Sequence, residues 1–444
     1  MSKIRRTVAI GAGLAAAGTV LSRRRAGRIP TDPLDPDAIR PETAATITAE
    51  MVARPSIRRA DLARNFAPAI ATAVDPLLHG RRYFPRILED IAAANDHVHL
   101  LIYGYKPGDI GETFLAALAE RVAAGVEVRL SVDAIGSEVD FGSKELFARL
   151  REAGVEVVAH DAVMVLRFGE LGGRQFKPVL ENVLHFDHRK MIVVDGRIGY
   201  VGGSGIEDHY NDERFYDVMC RVEGPIVAQL AAVFLLSWRN NGGLAPADPS
   251  LIRYFPPATL VVAPDAPIRA STTVLWNVPG TGHHPISDTI ERALEDAARE
   301  IHIVNPYISN REILERLLAA ALRGVRVRLV APGKPTPPYP AAAFRNWYGR
   351  LLDAGVEILL HPEMAHAKVL RIDDHVLIGG CNLDDLSLFR NDELDLLFED
   401  PGVAELTERS IFDELVGMST PAVAPTGTKD QFWNATMDRV SRLL

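Results

Sequence analysis

The chain has 444 residues, 47% of them hydrophobic and 24% charged, with a formal net charge of −9 and a pI of about 5.8. The length predicts two domains or one large duplicated domain. The negative net charge argues against nucleic-acid binding over a broad surface, although it does not exclude a local basic cleft. With only two cysteines, a disulfide framework is not indicated.

The first 30 residues differ in composition from the rest of the chain. An uncharged run over 7–22, rich in Gly and Ala, is flanked by basic residues at 3–6 and 23–25. A helix needs about 20 residues to span a bilayer, so this run is short for a transmembrane helix. The arginines after it disfavour translocation and cleavage of the segment. We therefore predict an N-terminal membrane anchor over 1–30. A marginal membrane helix, a cleaved signal peptide and an Ala-rich soluble helix are the alternatives.

Residues 31–78 open with several prolines and predict a linker that leads into a helical lead-in. Helical and strand periodicities then alternate through a first half over 79–245. Its predicted elements are, in order, a helix over 83–95, a strand over 98–103, a helix over 113–124, a strand over 126–133, a helix over 146–153 and a strand over 155–158. This order predicts a parallel sheet covered by helices on both faces.

A connector over 246–273, rich in Pro and Gly, leads to a second half over 274–400 that repeats the order. Its predicted elements are a helix over 286–299, a strand over 301–304, a helix over 313–322, a strand over 325–330, a helix over 344–353 and a strand over 356–360. The segment over 124–129 returns at 323–328, which indicates an internal duplication. We therefore predict an α/β protein of two pseudo-symmetric halves, each a largely parallel mixed sheet flanked by helices in α/β/α layers.

Residues 401–444 predict two C-terminal helices, over 403–416 and 430–444. One face of the last helix carries the apolar residues Trp433, Met437, Val440 and Leu444. We expect this face to pack on the body of the protein, with membrane contact as the alternative.

Two segments with the same spacing carry the candidate chemistry. Both read His-x-Lys-x-x-x-x-Asp, as His188, Lys190 and Asp195 in the first half and His366, Lys368 and Asp373 in the second. The paired match is improbable by chance, because the chain has only 13 His and still fewer Lys. Side chains two apart on a strand share a face, so each His is expected to lie beside its Lys. The apolar run that follows predicts a buried strand, with the aspartate holding the strand end.

Two His and two Lys brought together suit a tetrahedral phosphate anion. The lysines offer charge and hydrogen-bond donors to phosphoryl oxygens. A neutral His can attack phosphorus, and a protonated His can protonate the leaving oxygen. A His pair can also bind zinc, but a Lys two residues from each His would repel a cation. We therefore predict no metal and no other cofactor.

Over roughly residues 80–400 the chain resembles the phospholipase D superfamily, in particular its bacterial cardiolipin synthase branch. The resemblance rests on the two motifs and implies that the two halves share one site. It implies that His188 is the nucleophile, that His366 is the general acid and then the base, and that Lys190 and Lys368 bind the phosphoryl group. The six motif residues, with Asp195 and Asp373 as members that hold the strand ends, form the candidate catalytic set.

The family also has an acidic residue that follows each His by 27–29 positions, hydrogen-bonds to it and orients it. The matching positions are Asp217 for His188 and Glu393 for His366. Asn382, Ser387 and Asn391 fit the family pattern after the second motif and are the candidate substrate-binding residues. Three positions depart from that pattern, because Gly205 replaces the usual Asn, Gly380 the usual Ser and Leu386 the usual Arg.

The first half carries roughly 23 extra residues between Val158 and His188. We interpret this insertion either as a lid or wall that faces an acyl chain, or as a surface excursion without a role. Tyr103 and Tyr307 lie near strand ends, where core packing is the expected use and lining a channel is the alternative.

The resemblance implies a membrane-associated phosphatidyltransferase of the cardiolipin synthase type, with phosphatidylglycerol as the expected substrate. Transfer to water in place of a second lipid would make the protein a phospholipase D. A nuclease is disfavoured by the acidic charge, so no nucleic-acid partner is expected. A lipid-binding scaffold is disfavoured because both His and both Lys are kept. We expect the protein at the bacterial cell membrane, N-terminally anchored or peripheral.

Overall fold

A computed structural model describes residues 66–139, 142–160, 185–243, 250–256 and 270–441. The predicted N-terminal anchor, the insertion of the first half and most of the connector lie outside these ranges. None of the helices within them combines the length and the apolar composition that crossing a bilayer requires.

The first half and the segment before it supply nine strands within the described ranges. They are β1 (Ala69–Ala71), β2 (Ala73–Leu78), β3 (His97–Ile102), β4 (Glu127–Asp133), β5 (Glu156–His160), β6 (Lys190–Val194), β7 (Ile198–Gly202), β8 (Phe215–Tyr216) and β9 (Val218–Glu223). The α-helices of this part are α1 (Gly80–Ala92), α2 (Asp109–Ala123), α3 (Lys144–Glu152) and α4 (Ile226–Asn240).

The second half and the C-terminal segment supply the remaining elements of the described ranges. The strands are β10 (Ala270–Asn277), β11 (Glu300–Val304), β12 (Arg326–Pro332), β13 (Glu357–His361), β14 (Met364–Ala365), β15 (Val369–Ile372), β16 (His375–Gly379), β17 (Glu393–Glu399) and β18 (Thr420–Pro421). The α-helices are α5 (Pro285–Asp296), α6 (Arg311–Leu322), α7 (Tyr339–Arg345), α8 (Tyr348–Asp353), α9 (Asp385–Phe389), α10 (Pro401–Thr407), α11 (Asp413–Met418) and α12 (Thr428–Ser441).

The two halves repeat one strand order. The first sheet runs β2-β9-β7-β6-β3-β4-β5, and the second runs β10-β17-β16-β15-β11-β12-β13, with β1 and β18 added at its edges. This confirms the α/β class with two similar halves. These two sheets are less parallel than predicted, since among their described strands only β3, β4 and β5 and their counterparts β11, β12 and β13 pair in parallel. The reason is the tight turn after each motif, which joins neighbouring strands as an antiparallel hairpin. The short strands β8 and β14 form a separate parallel pair between the halves.

Several predicted elements differ at their ends from the observed ones. The helix predicted over 344–353 is two helices, α7 and α8, and α7 begins earlier because Pro340 favours its first turn. The described end of the lead-in forms the strands β1 and β2 where a helix was expected. Because β1 pairs in the second sheet and β2 in the first, this segment ties the halves together.

Helix α4 lies in a hydrophobic core shared by both halves. Its residues from Ile226 to Trp238 are buried with one exception. The same core contains Val193 and Val201 of the first sheet and Val304 and Ile378 of the second. An almost wholly buried helix between two sheets stabilises their relative position, which in turn positions the two motifs.

His99, on β3, serves the fold rather than the chemistry. Its ring is fully buried, stacks on Phe234 at 4.3 Å between centroids, and lies 3.3 Å from Glu127. Burial lowers the pKa of His99 to about 3. Its unfolded-state pKa is about 6.5, so the folded state binds fewer protons and loses stability as the pH falls from 6.5 towards 3.

We expect a His99→Phe variant, which keeps the stacked ring, to be less sensitive to acid. Between pH 8 and pH 5 it should lose about 2 kcal/mol less unfolding free energy than the wild type, because one pKa-shifted group is removed. Urea unfolding at both pH values measures this difference. An identical pH dependence in the two proteins would contradict the role given to His99.

Candidate active site

The two motifs hold equivalent places in the two sheets. The motif strands β6 and β15 each lie between their hairpin partner and the first strand of the parallel group. Lys190 and Lys368 are each only 1% exposed. The side chains of His188 and His366 are 16% and 12% exposed, so both imidazoles retain access from outside.

The first residue of each motif is hydrogen-bonded to the backbone of the opposite half, next to the acidic residue of that half. The His188 amide donates to the Asp392 carbonyl at 3.0 Å, and the His366 amide donates to the Tyr216 carbonyl at 2.6 Å. In the chain, Asp392 directly precedes Glu393 and Tyr216 directly precedes Asp217. These backbone contacts therefore bring each acidic side chain to the histidine of the other half.

The side chains of the histidines and acids also pair between the two halves. His188 Nδ1 lies 2.7 Å from Glu393 Oε1, and His366 Nδ1 lies 2.6 Å from Asp217 Oδ2. The pairing of each His with the acid of its own half is therefore wrong. The crossed contacts bring the motif histidines of both halves to one buried site.

The lysines lie beside the imidazoles. Lys368 Nζ is 2.7 Å from His366 Nδ1 and 3.7 Å from Asp217 Oδ2. Lys190 Nζ donates to the His188 carbonyl and lies 4.9 Å from the centroid of the Tyr103 ring. Both ammonium groups thus adjoin the histidines, as the two-residue spacing predicted.

Burial and the lysine charges set the protonation of the histidines. Burial, together with Lys190 and Lys368, lowers the pKa of His188 well below its usual range, and burial with Lys368 lowers that of His366 to about 3. Burial also lowers the pKa of Lys190 to about 7. Without an anion to balance the ammonium groups, both imidazoles are neutral near pH 7.

The two acids differ in charge. Burial raises the pKa of Glu393 to about 8. Burial also acts to raise the pKa of Asp217, but Lys368 and the hydrogen-bonded His366 outweigh it, and the pKa is lowered. Asp217 is therefore an ionised partner that favours an imidazolium on His366, whereas a largely neutral Glu393 gives His188 little such support.

A family described as "Cardiolipin synthase, PLD-like domain" matches residues 290–415. The chain is 28% identical over 382 residues to the major cardiolipin synthase of Bacillus subtilis, which covers 84% of this chain and 74% of that protein. It is 30% identical over 355 residues to a cardiolipin synthase of a Geobacillus species, which covers 77% of this chain and 66% of that protein. The chain belongs to the phospholipase D superfamily.

A crystal structure of phosphatidylserine synthase from Haemophilus influenzae shares the fold. Its TM-score is 0.62 at 15% sequence identity, over 85% of this chain and 95% of that one. The resemblance to the phospholipase D superfamily that the motifs indicated is thus confirmed, and so is the fold that it implied.

Two departures from the superfamily pattern have a steric reason. A Cβ added at Gly205 would lie 2.6 Å from the Gly104 carbonyl oxygen, so the usual Asn does not fit without a backbone shift. A Cβ added at Gly380 would lie 3.2 Å from Glu393 Oε2 and 3.5 Å from the His188 carbonyl oxygen. The usual Ser would therefore press on the acid partner of His188, and Gly380 leaves that space free.

The motif aspartates hold the far ends of the strands. Asp195 accepts backbone N–H groups of residues 95–97, and Asp373 accepts those of residues 298–300, each at 2.9 Å. Both adopt a φ of 52°, which Asp tolerates better than most residues. A strand of five residues is about 17 Å long, so the two carboxylates lie away from the imidazoles and hold the strand ends, as the sequence predicted.

We expect Asp195→Ala to lower stability far more than the chemical rate. Three backbone donors lose a charged acceptor, and alanine disfavours the positive φ, so the unfolding free energy should fall by about 2–4 kcal/mol. Thermal unfolding and single-turnover rates measured below the transition give the two effects. Asp195→Asn, which keeps one acceptor oxygen and tolerates this φ, is the matched control. A large rate loss in a stably folded Asp195→Ala would contradict this role.

Two of the three candidate substrate-binding residues, Ser387 and Asn391, act on Glu393. Hydrogen bonds from Ser387 and Asn391 lower the pKa of Glu393 against the larger effect of burial. Asn382 Nδ2 donates to Ser387 Oγ at 3.4 Å, and Asn382 Oδ1 has no hydrogen-bond partner among the described residues. Asn382 Oδ1 and Glu393 Oε2 are thus two buried acceptors to which no described residue donates a hydrogen bond.

Aromatic rings enclose both imidazoles. The Tyr103 ring lies 4.8 Å from the His188 ring, and the Tyr307 ring lies 6.3 Å from the His366 ring. Core packing was the expected use of these tyrosines, and that expectation is wrong. Phe215 lies 4.9 Å from the His366 ring and was missed. Its position two residues before Asp217 was the only signal in the sequence.

Asp187 and Arg189, which alternate with His188 and Lys190 along the chain, were also missed. The Arg189 guanidinium donates two hydrogen bonds of 2.7 Å to Asp187 and lies 5.3 Å from the Trp276 ring of the second half. The alternation of side chains on an extended segment places this ion pair away from the imidazoles. It fixes the start of the first motif against the opposite half.

The described residues contain no group of three or more His, Cys, Asp or Glu side chains arranged to hold a metal ion.

Proposed function

We propose that the protein is a phosphatidyltransferase of the cardiolipin synthase type, acting on phosphatidylglycerol at the bacterial cell membrane as an N-terminally anchored or peripheral protein. The observation that carries the proposal is the pair of crossed histidine–acid contacts, which bring two imidazoles and two ammonium groups to one buried site. The names of the relatives supply the substrate class.

The first step forms a covalent intermediate. His188 Nε2 attacks the phosphorus of phosphatidylglycerol, the bond from phosphorus to the glycerol oxygen breaks, and His366 donates a proton to that oxygen. Lys190 and Lys368 bind the non-bridging oxygens and offset their negative charge. The products of this step are free glycerol and phosphatidyl-His188.

The second step reverses these roles. A hydroxyl of another phosphatidylglycerol enters, and the now neutral His366 removes its proton while the oxygen attacks phosphorus. The phosphorus–nitrogen bond breaks, which gives cardiolipin and restores His188.

The charge difference between the acids supports this division of labour. The mechanism needs a neutral His188 and a protonated His366 when substrate is bound. The phosphodiester anion offsets the lysine charges that lower the pKa of His366, and the ionised Asp217 then stabilises its imidazolium. Glu393, with a pKa raised to about 8, is largely neutral and therefore stabilises an imidazolium on His188 less than Asp217 does on His366.

Product analysis of the purified protein tests the proposal. Incubation with vesicles of phosphatidylglycerol is expected to yield cardiolipin and glycerol in equal amounts. Phosphatidic acid with glycerol would identify a phospholipase D instead, and cleavage of an added oligonucleotide would identify a nuclease. No turnover of any of these substrates would contradict an enzymatic role. The His188→Asn variant serves as the blank for contaminating lipases.

A further inference from the structure

The last helix packs in an unexpected orientation. α12 lies against α7, and its buried residues are the polar Asn434 and Asp438, at 3% and 5% exposure. Trp347 Nε1, at the start of α8, donates to Asp438 Oδ1 at 3.3 Å. Trp433 therefore does not pack on the body as expected, Met437 is half-buried, and the side chains of Val440 and Leu444 lie outside the described residues. Phe432 is 76% exposed and Trp433 is 53% exposed.

These aromatic residues lie on a helix that packs on α7, and α7 follows a loop beside the site. α7 begins at Tyr339, which is itself 36% exposed. The loop before it accepts a hydrogen bond from the Tyr307 hydroxyl through the Thr336 carbonyl, and the Tyr307 ring lies 6.3 Å from that of His366. Tyr339, Phe432 and Trp433 are here called the rim aromatics, because α7 follows this loop and α12 packs on α7.

The surrounding charge is basic, although the whole chain carries −9. The charged residues of α7, α8 and α12 that are exposed or half-buried are the basic Arg345, Arg350, Lys429 and Arg439 and the acidic Asp353 and Asp430. These three helices therefore expose four basic and two acidic side chains. This excess of positive charge favours anionic lipid headgroups as the partner over a second copy of this acidic chain.

We propose that the rim aromatics insert into the interface of an anionic phospholipid bilayer and hold the entrance of the site against it. Trp and other aromatic side chains prefer the headgroup region of bilayers. A surface helix gains membrane affinity from buried apolar area together with basic charge. The inference rests on the proposed function, which requires the site to take its substrate from a bilayer.

The chain contains a natural probe of this contact. Of its four tryptophans, Trp238, Trp276 and Trp347 are at most 4% exposed, so Trp433 is the accessible one. Vesicles of phosphatidylglycerol and phosphatidylcholine that contain brominated lipid are expected to shift the Trp433 emission to shorter wavelength and quench it. Trp433→Phe should abolish the vesicle-dependent quenching. Because residues 1–30 are predicted to bind membranes too, this quenching, rather than total binding, decides the question.

A kinetic comparison adds a matched control. Phe432→Asp is expected to raise the KM for vesicle phosphatidylglycerol roughly tenfold or more with little change in kcat, since burying an aromatic side chain contributes more than 1.4 kcal/mol. Ile252→Asp, at a position in the connector that is 70% exposed, should leave the KM unchanged.

The outcomes separate the two proposals. Turnover of vesicle phosphatidylglycerol without quenching of Trp433 would overturn the docking surface and leave the proposed function in place. Quenching without any turnover would support the docking surface while removing the proposed function. Equal KM changes in Phe432→Asp and Ile252→Asp would also overturn it, because the effect would then come from added charge anywhere on the protein.

Discussion

His188→Asn and His366→Asn are each expected to lower kcat for phosphatidyl transfer by about four orders of magnitude or more, because each removes a group that bonds to the reacting atoms. Asn keeps a hydrogen-bonding side chain of similar size at Glu393 or Asp217, so the fold should persist. Thermal unfolding checks this. His375→Asn, at a half-exposed position on β16, is the matched control and should keep the wild-type rate.

A substrate that needs no general acid separates the two histidines. With a phosphatidyl ester of p-nitrophenol, whose leaving group departs unprotonated, His366→Asn should regain the first step and give a burst of p-nitrophenol of about one equivalent. His188→Asn should give no burst, since it cannot form the covalent intermediate. A burst in His188→Asn and none in His366→Asn would reverse the assigned roles. Wild-type turnover in either variant would remove that histidine from the mechanism.

Asp217→Asn is expected to lower kcat with the natural lipid by about two to four orders of magnitude. Loss of the ionised partner removes support for the imidazolium and allows the wrong tautomer of His366. Glu393→Gln should cost much less, about tenfold, because burial already leaves Glu393 largely neutral and Gln keeps its shape. Steady-state rates of the two variants at the same pH provide the comparison.

The p-nitrophenyl ester also tests the crossed pairing. If Asp217 acts through His366 of the other half, the defect of Asp217→Asn should shrink strongly with this ester, as for His366→Asn. A pairing within the first half would instead make Asp217→Asn behave like His188→Asn, with no burst. That result would contradict the contact between His366 and Asp217. Equal losses in Asp217→Asn and Glu393→Gln would contradict the charge difference between the two acids.

The duplicated architecture could be predicted because its signals are local. Helix ends marked by glycine, such as Gly125 and Gly324 with φ of 86° and 94°, recur at matching places in both halves. The position of each lysine beside its histidine was also predictable, since the two-residue spacing on a strand requires each pair to share a face. The number of parallel strand pairs was overestimated, because the sequence at the turn after Asp195 does not distinguish a hairpin from any other strand end.

The crossing of the acids could not be predicted from spacing. The distance of 27–29 positions between each His and an acid is counted within one half, whereas the contact is made by backbone hydrogen bonds between the halves. The exposure of Trp433 on α12 was mispredicted for a related reason. Helical periodicity assigns the apolar face to the core, but Trp347 and Asp438 form a tertiary hydrogen bond that buries the polar face instead.

Trapping of the covalent intermediate tests most directly whether both halves act on a single phosphorus atom. The enzyme would be mixed with phosphatidylglycerol labelled at phosphorus, quenched in denaturing base at a series of times, since phosphohistidine is stable there, and digested to locate the label. We expect up to one phosphorus per chain, attached to His188, with none in His188→Asn. Two labelled histidines per chain, or no label at any time in a protein that turns over, would contradict a shared site with one nucleophile.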